Sequence, residues 1–305
     1  MFPLLAIGTG LIAGIATIFV QSGLGKRSGW QPEREIMVVT RESGSGTRSA
    51  FLDLFDLQTE EGEKRTLLLT GEAVTVNRSG SLLAMIAGNP YAIGYGSLQD
   101  HLLGVKAIQI DRVEPTIEHM KDGSYPYTRP FYIAVRKEEK EGQAFLQYVL
   151  SAEGQRQAEE AGYLACRAGG KTDITEANFT IDIDPSQEKK LVLAGSSTVM
   201  PLAQQWAEGY QRSIKEAGEE KIREIELQES DSGSGMALLL QGSADVALLS
   251  RDLTKEEREQ VIWAAVAMDG LVILVNEQNP VESLTKEEIR RIFMGADSTW
   301  KKRNQ

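Results

Sequence analysis

Residues 38–51 read VVTRESGSGTRSAF, and the same turn letters return at residues 229–236 as ESDSGSGM. In each stretch an apolar run meets a cluster of glycine and hydroxyl residues, and a second apolar run at helical spacing follows. A short apolar run bounded by turn residues predicts a strand, and apolar residues three and four apart predict a helix. Residues 34–41 (REIMVVTR) therefore predict a strand, residues 42–47 (ESGSGT) a turn, and residues 49–57 (SAFLDLFDL) a helix.

The same plan recurs along the chain. Residues 77–100 (NRSGSLLAMIAGNPYAIGYGSLQD) predict turn, helix, Gly-Asn-Pro stop and strand, and strands follow at 105–110 and 128–137. Residues 141–162 (EGQAFLQYVLSAEGQRQAEEAG) predict one long helix ending at Gly162. Residues 190–214 give strand, turn and helix; residues 223–253 give strand, turn, helix and strand. GLVILVNEQNP (270–280) predicts a strand ended by Asn-Pro, and TKEEIRRIFMG (285–295) a capped helix. Strands alternating with helices through short loops imply an α/β architecture. Residues 79–98 and 232–253 echo each other as Ser-Gly-Ser, apolar helix, Gly stop and apolar strand. Two lobes built on one scheme explain that echo, and so do two generic strand–helix units.

At 305 residues, 41% hydrophobic and 25% charged, the chain suffices for two lobes, each with a core. A formal net charge of −11 argues against nucleic acid or an anionic membrane surface as the main partner. It leaves room for a small anion held by a local nest of N–H groups. Cys166 is the single cysteine, so neither an internal disulfide nor a cysteine metal cage is expected, and the imidazoles are limited to His101 and His119. AGGKT (168–172) fails as a phosphate-binding loop ending because Ala165 occupies the earlier glycine position. No Gly-x-Ser-x-Gly elbow is present. EEKEG (138–142) and TKEEREQ (254–260) read as solvated helix faces. MFPLLAIGTGLIAGIATIFV (1–20) carries no charge and is long enough to span a membrane; residues 1–25 are expected to be a membrane-associated or export-related segment. A buried leader, or a translated start inside a longer gene, is the plainer alternative.

Three turns carry the chemistry: Ser43–Thr47, Ser196–Thr198 and Ser230–Gly235. Backbone N–H groups in a helix's first turn lack intrahelical partners, and the dipole there favours negative charge. Glycine lets a ligand approach the backbone, and Ser or Thr adds hydroxyl donors. Turns of this kind converging on one cleft make an oxyanion site, with Arg41 and Arg251 beside them as charged forks. For any single turn, ordinary N-capping is the commoner explanation. The recurrence beside two arginines favours a ligand.

With those residues in view, the chain resembles the PstS-type phosphate-binding proteins, the extracytoplasmic receptors of phosphate ABC importers. The resemblance runs from about Arg34 to Trp300. It rests on VVTRESGSGTRSAF, NPYAIGYGSL, YPYTRPFYIAV with VLSAEGQ, AGSSTVMPLAQQWAEGY, SGSGMALLLQGSADVALLSRDLTKEE and MDGLVILVNEQNPVESLTKEEIRRIFMG. In that family the GSSTV half comes first and the RESGSGT half second; here the order is reversed. The reversal implies a circular permutant, or a piece of a tandem gene, with the former ends joined through the weakly patterned residues 167–190.

The resemblance implies a two-lobed periplasmic-binding-protein-like fold of type II, each lobe a mixed sheet flanked by helices. It places residues 128–271 in one lobe, and residues 30–127 with 272–305 in the other. It implies phosphate contacts from Thr198 and Val199, from Ser232, Gly233 and Ser234, from Ser250 with Arg251, and from Arg41, Ser45, Gly46 and Thr47. Some family members place an Asp near the position of Ser250 to accept a phosphate proton; here the residues are Ser250 and Arg251. Inorganic phosphate as ligand, an ABC importer permease as partner, no cofactor, no metal, and a place at the cell surface or in the periplasm follow from the same likeness. A membrane-tethered oxyanion sensor without transport is the competing binding role, and an enzyme acting on phosphate esters is the competing catalytic one.

Overall fold

The computed structural model describes residues 29–61, 64–101, 103–166, 190–216 and 224–301. The apolar segment expected at 1–25 and nearly all of the join expected at 167–190 lie outside the described residues. Among the described residues no helix is long and apolar enough to cross a membrane.

From the first strand the chain runs β1 (Met37–Arg41), α1 (Gly46–Leu54), a hairpin β2 (Gln58–Glu61) and β3 (Lys64–Leu67), β4 (Val74–Val76), α2 (Ser79–Ala87), β5 (Ala92–Ser97), β6 (Val105–Ile110) and α3 (Ile117–Lys121). It continues through β7 (Thr128–Arg136), α4 (Lys140–Leu150), α5 (Ala152–Glu160), β8 (Leu164–Ala165), β9 (Leu191–Ser196), α6 (Met200–Glu216), β10 (Ile225–Ser230) and α7 (Ser232–Leu240). It closes with β11 (Val246–Leu249), α8 (Lys255–Gln260), β12 (Val261–Asn276), β13 (Ser283–Leu284) and α9 (Lys286–Phe293). The fold is α/β, with a mixed sheet ordered β10-β9-β11-β7-β12-β5-β1-β4.

The two glycine–serine turns leave the ends of parallel strands: β1, which lies between β4 and β5, and β10, which pairs with β9 and through it neighbours β11. Both units are strand, turn, helix and strand, and each buries apolar positions of its helix on its sheet. Leu82, Leu83 and Ile86 of α2 pack on Val39, Ala92 and Leu274. Met236 and Leu239 of α7 pack on Ala247 and Leu249. A larger core gathers Phe131, Phe145, Leu193, Trp206 and Leu248.

Strand β12 links the two sets of strands. Val261–Gly270 pair antiparallel with β7, while Leu271–Val275 pair with β5 and Ile273–Asn276 with β6. The sequence predicts only its second part, from Gly270. The first part, VIWAAVAMD, carries small residues that read weakly alone but are buried between neighbours. The helix predicted over 141–162 is broken in two. Ser151, extended at φ −66° and ψ 165°, ends α4 and caps α5 by accepting from the Gly154 N–H. A serine that can cap its own backbone offers the chain an alternative to continuing the helix.

Candidate oxyanion site

At the end of β1, the Tyr95 hydroxyl bonds the Thr40 hydroxyl at 2.8 Å and accepts from the Arg41 N–H at 3.1 Å. Tyr95 is itself stacked on Phe51 of α1, with ring centroids 4.0 Å apart. This clamp fixes the backbone from which the Arg41 side chain leaves. Arg41 is only 2% exposed. Its Nε and Nη2 fork onto the two carboxylate oxygens of Glu42, each at 2.8 Å, and its Nη1 donates to Ser79 Oγ at 2.9 Å. The adjacent carboxylate thus balances the guanidinium, and the third arm points at a hydroxyl.

Four turns meet at this point. Ser45 caps α1 by accepting from the Arg48 N–H. Thr47, in the first turn of that helix, bonds Thr198 at 2.8 Å between hydroxyl oxygens. Thr198 precedes α6, and its N–H donates to Ser196 Oγ. Ser79 opens α2, and its hydroxyl lies 3.0 Å from that of Thr198 and 3.3 Å from that of Ser197. Ser232 opens α7 and accepts from the Ser250 N–H at 3.1 Å, while the Ser250 hydroxyl bonds Ser196 at 2.9 Å. Ser45, Thr47, Ser196, Ser197, Thr198, Ser232 and Ser250 are all buried.

Gly46 is a close backbone approach at this site. A Cβ on it would lie 2.5 Å from Ser232 Oγ and 2.8 Å from the Ser250 carbonyl carbon, so no side chain fits while these segments face each other. Beside it, the Gly233 N–H donates to the Gly44 carbonyl at 3.2 Å.

Of the residues expected from the sequence, Arg41, Ser45, Gly46, Thr47, Thr198, Ser232 and Ser250 are brought together. The other four are placed differently. The Val199 side chain is in the core and its N–H donates to the Ser196 carbonyl. Gly233 sits at the rim in the bond just described. Ser234 is exposed, with both its N–H and its hydroxyl donated to Asp231. Burial works against the Asp231 carboxylate, yet the bonds from Ser234 and the Gly233 N–H hold its pKa below the ordinary range. Arg251 forks onto Glu257 with two bonds of 2.8 Å and faces α8. Glu257 is also the third residue of a capping box with Thr254. Burial opposes its charge as well, and the Arg251 fork keeps its pKa low.

Ser79 and Glu42 belong to the cluster without having been singled out from the sequence, and Ser196 and Ser197 join it from the Ser196–Thr198 turn without having been among the expected contacts. The available signal was the Ser-Gly-Ser opening of α2, the same letters that open α7. Among the described residues no group of His, Cys, Asp and Glu is placed to hold a metal ion. What remains is a buried patch of hydroxyls and N–H groups with one internally balanced guanidinium. Such a surface carries O–H and N–H donors of the kind that an acceptor-rich anion takes.

Comparison with known proteins gives a consistent picture. A family model described as a PBP superfamily domain matches residues 24–153 and 180–305. The phosphate-binding protein PstS 2 of Streptococcus agalactiae is 34% identical over 294 residues, covering 95% of this chain and 94% of the relative. Its Streptococcus pneumoniae counterpart is 31% identical over 303 residues, covering 99% and 98%. The segments here therefore follow the same order as in those relatives. A crystal structure of a phosphate-binding protein of a phosphate ABC transporter from Streptococcus pneumoniae superposes with a TM-score of 0.63 at 30% identity. That superposition covers 88% of this chain and all of the other.

Proposed function

The chain belongs to the PstS-type phosphate-binding proteins of the PBP superfamily, and from that premise we propose that it captures inorganic phosphate for an ABC importer. One observation carries the reading: Arg41, Thr47, Ser79, Thr198, Ser232 and Ser250, drawn from separated parts of the chain, form one network of hydroxyls and N–H groups connected through Ser196. We assign the anion contacts to Arg41, Ser45, Gly46, Thr47, Thr198, Ser232 and Ser250. Val199, Gly233, Ser234 and Arg251 stand at its margin, with the groups described above committed to other partners.

In this reading the β1–β5 strands with the second part of β12 form one lobe, residues 30–127 and 272–305. The β7–β11 strands with the first part of β12 form the other, residues 128–271. The ligand stabilises closure because it touches both lobes only when they face each other. Binding and delivery require no bond-making, so the protein works as a receptor without catalysis, outside the cytoplasmic membrane, handing its ligand to a permease. The segment order is that of a circular permutant relative to the GSSTV-first arrangement, with the former ends joined through 167–190.

Isothermal titration of the full chain with phosphate tests the proposal, with sulfate as the parallel titrant. Saturable phosphate binding that Arg41→Ala weakens is the expected result. Absence of binding to either oxyanion overturns it.

A further inference from the structure

None of the contacts that the family likeness implies comes from residues 77–87, yet Ser79 sits at the centre of the hydroxyl network. Its Oγ receives a hydrogen bond from Arg41 Nη1 at 2.9 Å. A guanidinium only donates, so this bond fixes the Ser79 oxygen as an acceptor on that side. The single O–H proton of Ser79 is then available to point away from Arg41. The hydroxyl oxygens within reach there are Thr198 Oγ1 at 3.0 Å and Ser197 Oγ at 3.3 Å. The Ser79 N–H takes part as well, donating to Ser197 Oγ at 3.4 Å. From Thr198 the network passes to Thr47 at 2.8 Å. Arg41 thereby orients a donor chain that runs Arg41, Ser79, Thr198, Thr47 through residues of three different turns.

We propose that Ser79 is a further oxyanion-contacting residue of the cleft, a hydroxyl whose orientation Arg41 sets so that its proton is offered to the anion. The assignment rests on the phosphate reading above and names one more donor for the same site. It also gives the Arg41–Glu42 pair a role. With Nε and one N–H of Nη2 held on Glu42 and one N–H of Nη1 on Ser79, the guanidinium keeps a second N–H on each terminal nitrogen for the anion and orients the Ser79 dipole beside them. The neighbouring turn explains why a serine is needed: α2 is preceded by Arg78, whose side chain makes no capping bond. Ser79 is therefore the hydroxyl nearest to the start of that helix that faces Thr198.

The test is isothermal titration of inorganic phosphate into the full chain and into three variants, with thermal unfolding of each ligand-free protein measured alongside. Ser79→Ala removes the donor and is expected to weaken phosphate binding about 10- to 100-fold, the effect of losing a hydrogen bond to a charged group. Ser79→Thr keeps the hydroxyl and is expected to stay within about threefold of the parent. Ser79→Asp accepts the same Arg41 bond but donates nothing and sets a negative charge against the ligand, so binding is expected to be lost. Unfolding temperatures that coincide across the set separate this role from a structural one. If the parent binds phosphate and Ser79→Ala binds it within twofold, the assignment falls alone. If the parent itself binds no phosphate, the phosphate reading falls first and this assignment with it.

Discussion

Where α1 faces α7 and the end of β11, the molecule is joined by hydroxyls, glycine and one backbone hydrogen bond. Where β5, β7 and β12 cross, it is joined by a buried ion pair. At the crossing, Arg129 of β7 gives Asp269 of β12 two bonds of 3.0 and 2.9 Å, and Ser97 at the end of β5 gives it a third of 2.6 Å. Arg129 is 3% and Asp269 1% exposed. Neutral hydroxyl pairs contribute about 1 kcal/mol each and can be exchanged for bonds to a ligand or to water. A buried charge pair loses far more when one partner is taken away. The first junction suits repeated opening and the second suits permanence, which is what the two-lobed reading proposed above requires of them.

The sharpest way to break this contrast is Asp269→Ala. It strands the Arg129 guanidinium, whose Nη1 already has no hydrogen-bond partner, in the interior. A loss of about 3–5 kcal/mol in unfolding free energy is expected from denaturant titration. A loss under about 1 kcal/mol would show that the crossing is not the stronger junction.

Asp269 also gives the crossing a pH signature, opposite in sign to that of Asp231 at the second glycine–serine turn. Burial, reinforced by the nearby Asp100 carboxyl, pushes its pKa up to about 6 in spite of Arg129 and Ser97. Asp100 is displaced upward too, chiefly by burial, and Tyr163, which faces the same group, is raised as well. The folded state therefore holds a proton on Asp269 more tightly than the unfolded chain, whose carboxyl titrates near the ordinary 3.8. The stability from this group is full below about pH 4 and is lost as pH rises through about 6, up to about 3 kcal/mol in all. Asp269→Asn should remove that component from the difference between unfolding curves at pH 4.5 and 7. An unchanged difference would refute the assignment.

Where α1 faces α7, substitutions should move binding and leave stability alone. Gly46→Ala places a methyl against Ser232 and the Ser250 backbone, so phosphate binding should fall about 100-fold or more, while an alanine in a helix's first turn does not weaken the helix. Gly233→Ala, whose new Cβ would meet nothing closer than Asp231 Oδ1 at 3.2 Å, should change binding only a few-fold. Equal effects at the two glycines would mean that the segments do not approach in the bound state as they do here.

The sequence made the local units readable because each strand–turn–helix carries its own signals: an apolar run, small turn residues, then helical spacing. Arg41, Thr47, Thr198 and Ser232 were visible for the same reason, whereas Ser250 came only from the family resemblance. The pairing of units was not legible. Ser79 looked like any residue opening a helix until β1 and α6 brought Arg41 and Thr198 against it. Arg251 looked like a second fork for the anion. The Thr254 to Glu257 capping box six residues on was in the sequence, but not the fact that its glutamate turns back to hold Arg251. The first part of β12 escaped because Ala264, Ala265 and Ala267 have little strand preference alone and are fixed by β7 alongside.

The smallest expected effects separate the two glycine–serine turns from each other. Their letters are alike, but the first spends Ser45 on capping α1 and leaves the Thr47 hydroxyl on Thr198. The second is capped by Asp231, which takes both the N–H and the hydroxyl of Ser234. Thr47→Val keeps shape and removes the donor, so phosphate should bind about tenfold more weakly. Ser234→Ala removes a hydroxyl that a neighbouring carboxylate already holds at the exposed rim, and titration should show less than a twofold change. A larger loss at Ser234 than at Thr47 would reverse the assignment of the two turns. It would mean that Asp231 releases Ser234 to the ligand on binding and that the second turn, not the first, supplies the hydroxyl contact.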